Sequence, residues 1–397
     1  MKISPIKNFN FKGHGVGEIK ALYMQNPNHQ PQINIYNQMR EIAEKEGFDV
    51  FIHDRQDIKN EKLADITKTS NPWGIWAQDN KLLIKKKGET IAVAPEFYNK
   101  EELLEVADFC EQTNIKGFFS DLLFEGGNIY LGKRDNGENY FITSAFNMYL
   151  SGKYLYFKDK LGGEPEYSAL EEFFKKGKFY SENNELIADE EEYEKNWEFW
   201  ARKAIEIASG DFDVKKENMV FLPEADFHID MAIRPLEYPY VLVNDDKEVD
   251  KLLEKLEKQF MFNPLEKAEL KKFKGILAKH RENYSSSSEI CKKLEIAGFK
   301  PIKIAGAFGR NPVNFINAIV HKNGEDLVYI TNSTKHGSKI YQAMQENFEK
   351  DLIEKYPKIK RIHYVDGGLY EKKKNNIMYY LGNGNGGIHC LCAEEMK

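Results

Sequence analysis

Cys390 is one of four cysteines in 397 residues, and its surroundings are unusual. The run Gly382-Asn-Gly-Asn-Gly-Gly-Ile-His-Cys-Leu-Cys392 sets glycines 382, 384, 386 and 387 ahead of the thiol. Glycine permits close backbone approach and φ > 0, so a ligand can reach a thiol placed behind it and meet a nucleophile. A tight turn before a final strand that packs two small cysteines explains the same residues. A phosphate cradle fits poorly, because such a loop opens a helix and is followed by a Lys-Ser or Lys-Thr pair.

A nucleophilic thiol needs a proton-transfer partner and groups that position a substrate. His389 adjoins Cys390, so on a strand their side chains take opposite faces, which disfavours His389 as the base. His228 in Leu222-Pro-Glu-Ala-Asp-Phe-His-Ile-Asp230 is the better candidate. His228 and Asp230 are two residues apart and share one face of an extended segment. Glu125 in Phe124-Glu-Gly-Gly-Asn128 supplies another carboxylate. In Trp73-Gly-Ile-Trp-Ala-Gln-Asp79, two of the four tryptophans accompany Asp79. Aromatic rings with carboxylates suit a planar cation; a core edge and solvated acids use the same residue types.

These groups are far apart in the chain, so a fold must gather them. Short apolar runs bounded by turn residues predict strands at 81–86, 90–94, 128–132, 240–243 and 327–330. Helical periodicity covers 33–46, 100–113, 192–208 and 342–355. The alternation implies an α/β fold. The charge-dense stretches 151–200 and 245–300 are expected as charged helical insertions, solvated around the core. No repeat is visible, and no linker divides residues 1–397, which are expected to form one catalytic domain.

At 41% hydrophobic and 13% aromatic, the chain can build a large core. A net charge of −6 with interleaved signs gives no field for gripping nucleic acid or an anionic membrane, and neither is expected as a partner. No EF-hand pattern or CxxC pair is present, so no metal or cofactor is expected. The cysteines are too few for a disulfide framework; reduced thiols and a cytoplasmic setting are the expectation. Residues 1–24 lack the apolar run of a signal peptide, and no stretch approaches the ~20 apolar residues of a membrane helix. The oligomeric state is left open.

Taken in order, Trp76-Ala-Gln-Asp79, Glu125-Gly-Gly-Asn128, His228-Ile-Asp230 and Gly386-Gly-Ile-His-Cys390 resemble the pentein superfamily of guanidine-modifying enzymes. The likeness is to its agmatine deiminase and peptidylarginine deiminase branch. The stretch 314–320 is similar to the family's strand before the last helix, which directs Asn317 into the site. The resemblance implies a five-bladed, pseudo-symmetric ββαβ propeller with helical insertions. It also implies hydrolysis at the guanidinium carbon of agmatine-like small molecules or peptidyl arginine. Asp79 and Asp230 would accept N–H bonds from the cation, with Trp76 and Asn317 also binding substrate. Cys390 would attack to give a covalent thiouronium, and His228 would protonate the departing amine and then activate water. Glu125 would orient His228. Two other activities share the resemblance: an amidinotransferase passing the thiouronium to an amine, and a non-catalytic binding scaffold. The long insertions, Asn128 and the absence of a Cys-Ile/Val-Thr ending depart from the agmatine branch and bear on substrate choice. A free amino acid would need an arginine for its carboxylate; Arg134, Arg234 and Arg310 lie nearest the motifs.

Overall fold

A computed structural model describes residues 16–25, 30–52, 77–86, 88–95, 100–308, 313–335, 338–366 and 387–397. The chain begins with β1 (Ile19–Met24), α1 (Gln30–Glu46) and β2 (Asp49–Ile52). It continues with β3 (Leu82–Lys86), β4 (Glu89–Pro95), α2 (Lys100–Thr113) and β5 (Lys116–Ser120). A third group holds β6 (Ile129–Lys133), β7 (Asn139–Ser144), α3 (Ala145–Leu161), α4 (Tyr167–Lys176), β8 (Lys178–Tyr180), β9 (Leu186–Asp189), α5 (Glu190–Asp211) and β10 (Met219–Leu222). A fourth holds β11 (Ile233–Pro235), β12 (Tyr240–Asn244), α6 (Asp246–Gln259), α7 (Pro264–Asn283), α8 (Ser287–Ile296) and β13 (Lys300–Ile304). The fifth holds β14 (Ile319–Asn323), β15 (Asp326–Asn332), α9 (Lys339–Lys355) and β16 (Ile359–Val365), and β17 (Cys392–Met396) ends the chain.

Five three-stranded sheets form among the described residues, and each follows one plan. Two strands pair antiparallel, and a helical crossover then brings a third alongside in parallel: β3–β4–β5, β6–β7–β10, β11–β12–β13 and β14–β15–β16. Parallel neighbours need such a crossover because a tight hairpin cannot join them. The first sheet obeys the same plan across the whole chain, since β17 pairs antiparallel with β1, and β1 parallel with β2. The sequence shows no repeat, yet the topology repeats five times: the plan needs only alternating apolar strands and amphipathic helices, which many sequences supply.

The charge-dense stretches are enlarged crossovers. In α6, Val249, Leu252, Leu253 and Leu256 are buried at helical spacing while Lys and Glu cover the outer face. Asp245 starts this helix, its carboxylate accepting the Lys247 and Glu248 backbone N–H groups, a cap worth about 1 kcal/mol. Asn263 caps α7 in the same way, with Pro264 at its first turn. The stretch 151–200 is more than helices, because β8 and β9 pair as a hairpin within it. Its aromatics Tyr154, Tyr156, Phe157, Phe173, Tyr193 and Trp200 are core, not surface.

Candidate active site

In every unit, a short segment leads into the first strand of the sheet, and these five segments meet. Asp79 precedes β3, Glu125 precedes β6, His228 and Asp230 precede β11, Asn317 precedes β14, and Cys390 precedes β17. Hydrogen bonds join them in a closed ring. Gln78 N–H donates to the Cys390 carbonyl (3.3 Å), and Gly126 N–H to the Asp79 carbonyl (3.2 Å). Asn128 accepts the Ile229 N–H (3.3 Å) and donates to the Phe227 carbonyl (3.3 Å). Asn314 donates to the Met231 carbonyl (2.9 Å), and Asn317 accepts the His389 N–H (2.9 Å), which returns to the Cys390 segment.

Two glycines are required by close approach. A Cβ on Gly127 would lie 2.4 Å from His228 Nδ1, and one on Gly387 would lie 2.4 Å from Asn317 Oδ1. Both distances are far inside contact, so any side chain would displace the groups that line the site.

The chemistry concentrates at Cys390. One donor atom each from His228, Asp230 and Cys390 lie within 4.8 Å of one another, and all three residues are buried. Cys390 donates to Asp230 Oδ2 (3.5 Å), and Asn317 Nδ2 donates to its sulfur (3.1 Å). His228 Nε2 donates to Glu125 Oε2, while its Nδ1 and Asp230 Oδ1 are buried without a hydrogen-bond partner among the described residues.

Burial pulls His228 towards the neutral form, but the Glu125 hydrogen bond and the charges of Asp79, Glu125 and Asp230 outweigh it, raising its pKa to about 9. Burial raises Asp230 to about 6, against the lowering influence of His228, Cys390 and Arg234. Burial, then Asp230 and Asp79, push the Cys390 thiol well above its ordinary value. A cation placed between these carboxylates reverses that last effect, because it offsets the charges opposing the thiolate.

Six of the seven expected site residues come together, and Trp76 lies outside the described residues, as do Arg310 and glycines 382, 384 and 386. His389 and Cys390 sit in a turn ahead of β17, not on a strand, so the expectation of opposite faces fails. Both reach the same atom: His389 Nδ1 donates to Asp230 Oδ2 (2.8 Å). His228 likewise caps a 3-10 turn, Ile229–Met231, with Asp230 inside it, in place of a shared extended segment. Asn317 lies in a bend before β14, not on the strand. Arg234 is no carboxylate clamp, since it is fully buried, donates to Glu394 (3.4 Å) and stacks over Tyr130. Arg134 donates to the Tyr238 hydroxyl and the Ala297 carbonyl. Sequence reading missed Gln78, Asn314 and Glu394. Glu394 in particular resembles a surface acid beside Glu395, although all five residues of β17 are buried.

No protein-family model matches the chain, and no curated protein matches it. Among solved structures, an agmatine deiminase of C. jejuni aligns with a TM-score of 0.52 at 15% identity, covering 99% of both chains. An agmatine deiminase of Enterococcus faecalis aligns with a TM-score of 0.50 at 12% identity, covering 98% of this chain and 96% of that one. The chain therefore shares the α/β fold of these two proteins.

Proposed function

We propose that this chain is a cysteine-dependent guanidine hydrolase, a deiminase releasing ammonia and a ureido product. Support comes above all from one observation: His228, Asp230 and Cys390 converge within 4.8 Å in a buried site, with Glu125 behind the imidazole. The five units are, on this reading, the blades of a propeller whose strand entries ring the site. Residues 1–397 then form one catalytic domain, acting in the cytoplasm on agmatine-like small molecules or peptidyl arginine.

The substrate guanidinium sits between Asp79 and Asp230, where charge-assisted N–H bonds fix its plane. Asp230 Oδ1 accepts one of them, because Oδ2 is already held by His389. The bound cation favours the thiolate, which forms a C–S bond at the central carbon. The His228 imidazolium gives its proton to one amino group as the C–N bond breaks, releasing ammonia and leaving a thiouronium. Neutral His228 then takes a proton from water; the hydroxide adds, and the thiolate leaves with the ureido product released. Glu125 keeps His228 oriented and protonated for the first half. Asn317, donating to the sulfur, stabilises thiolate charge.

The test is direct. Agmatine, free arginine and an arginine peptide are each incubated with the protein, and ammonia and ureido product are measured. Formation of ureido product that Cys390→Ser abolishes is the expected result. Undiminished turnover by Cys390→Ser sinks the mechanism, and a new guanidino compound formed from an added amine in place of ammonia points to an amidinotransferase.

A further inference from the structure

A cleft of about 510 Å³ lies against the third unit and has Glu125 of the site in its lining. Its walls come from the start of α3, from α4, and from the two segments carrying Glu125 and Phe227. Phe146, Tyr167, Phe174 and Phe227 line it, with two of these rings, Phe146 and Tyr167, about half exposed. The charged residues among its described lining are all acidic: Glu125, Glu171, Glu224 and Asp226. Asp226 is engaged by His280 (2.8 Å) and Glu125 by His228, and Glu171 and Glu224 add further negative charge at the opening. Aromatic faces and carboxylates together select an organic cation and repel an anion. The volume suits a small ligand with an apolar body, larger than a guanidinium head group alone.

We propose that this cleft binds an organic cation, an ammonium or guanidinium on an apolar body, whose charge meets Glu125 and is thereby coupled to the proton on His228. Glu125 belongs to both places: it lines the cleft, its side chain is half exposed, and it accepts the His228 hydrogen bond. Phe227 links them too, its ring centroid 4.5 Å from that of His228. A cation brought to Glu125 adds positive charge beside the imidazolium, so cation and proton compete. By linkage each weakens the other equally. The groups facing His228 are Glu125, Asp79 from the segment before β3, Asp230 on its own segment, and Cys390 from the segment before β17. Behind Asp230 lie His389 and Arg234. The cleft reaches Glu125 alone among these, so its occupancy changes one carboxylate and leaves the others in place. Occupancy would thus regulate the proposed reaction by withdrawing its acid, and this regulatory role rests on the deiminase reading whereas the binding does not.

The experiment uses the full chain and benzyltrimethylammonium, whose charge does not titrate, with benzyl alcohol as the neutral comparator. Calorimetry is expected to give saturable 1:1 binding of the cation, tighter at pH 10 than at pH 7 by about tenfold for each unit of displacement of His228. The His228 ring resonance, followed by NMR, should titrate at lower pH when the cation is saturating. Tyr167→Ala and Glu171→Gln should each weaken binding several-fold while unliganded turnover stays unchanged. Glu125→Gln should remove the pH dependence of binding. Binding no tighter than that of benzyl alcohol, or unaffected by both Tyr167→Ala and Glu171→Gln, overturns the site. An unmoved His228 titration overturns the coupling. Because the calorimetry and the His228 titration need no turnover, failure of the deiminase reading would show separately, as a lack of ureido product.

Discussion

His228 and Asp230 are two residues apart, yet their surroundings move them to different ends of the pH scale. The pKa of Asp230 is raised to about 6, so its carboxylate, and with it the grip on a cation, is lost as pH falls through 6. His228, raised to about 9, keeps its proton until pH rises through 9. A deiminase that needs an ionised Asp230 and a protonated His228 should therefore show kcat/KM flat between these limits and falling outside them. Glu125→Gln removes one of the three charges that oppose burial and replaces a charge-assisted hydrogen bond with a neutral one, so the pKa of the imidazole falls although Asp79 and Asp230 remain. The alkaline limb should move to lower pH, and a move of about two units would lower the rate at pH 8 roughly tenfold. Rates measured from about pH 5 to 10 check this; an unmoved alkaline limb removes Glu125 from the proposed role. Cys392 offers the contrast. Burial and Glu394 hold its thiol far above the ordinary range, and Cys392→Ser should leave the profile unchanged.

At the scale of elements, the charged stretch 245–300 tests whether a Lys- and Glu-rich segment carries core. Leu256 in α6 is fully buried in the continuous core that α6 shares with α1, α9 and β15. Leu256→Ala should cost about 2–5 kcal/mol in urea unfolding, while the same change at exposed Leu265, at the start of α7, should cost less than 0.5 kcal/mol or so. Comparable losses at both would mean the helix is peripheral. Such faces were legible in the sequence because helical periodicity survives dense charge, and α2 and α9 fall where periodicity puts them. The β8–β9 hairpin was not, since Lys178–Tyr180 is three residues long and carries no alternation to detect. At the site, residue types were legible and local geometry was not. Period-two reasoning put Cys390 and His389 on opposite faces, but a turn has no such period, and both reach Asp230. Gln78, Asn314 and Asn128 hold the ring through ordinary amides, which sequence alone cannot separate from any other amide.

Across the whole molecule, the five strand entries enclose a buried charge network that no single unit supplies. Arg234 comes from β11, Glu394 and His389 from β17 and the turn before it, Tyr130 from β6, and Asp230 from the segment before β11. Tyr130 stacks on His389 (5.7 Å between centroids) and under the Arg234 guanidinium, so three units share one contact. Above pH 7, where Glu394 is ionised, breaking such a pair leaves a buried charge alone, and Arg234→Met should there destabilise by roughly 3–5 kcal/mol. The pH dependence identifies the partner. Burial raises Glu394 from 4.5 to about 7, against the opposing charge of Arg234. The folded state therefore holds a proton on Glu394 that the unfolded chain has already released, so stability falls as pH rises from about 4.5 to 7. This is the reverse of a salt-bridged acid, whose lowered pKa gives stability that rises with pH below about 4.5 and is complete above it. Glu394→Gln cannot ionise, and its stability should lose the part of that slope Glu394 causes, while Asp230, also raised, retains its own. Urea unfolding of both proteins at several pH values between about 4.5 and 7 measures the difference. A slope identical in the two would mean that Glu394 is not held above its ordinary range, and that the ring of entries does not enclose a low-dielectric centre.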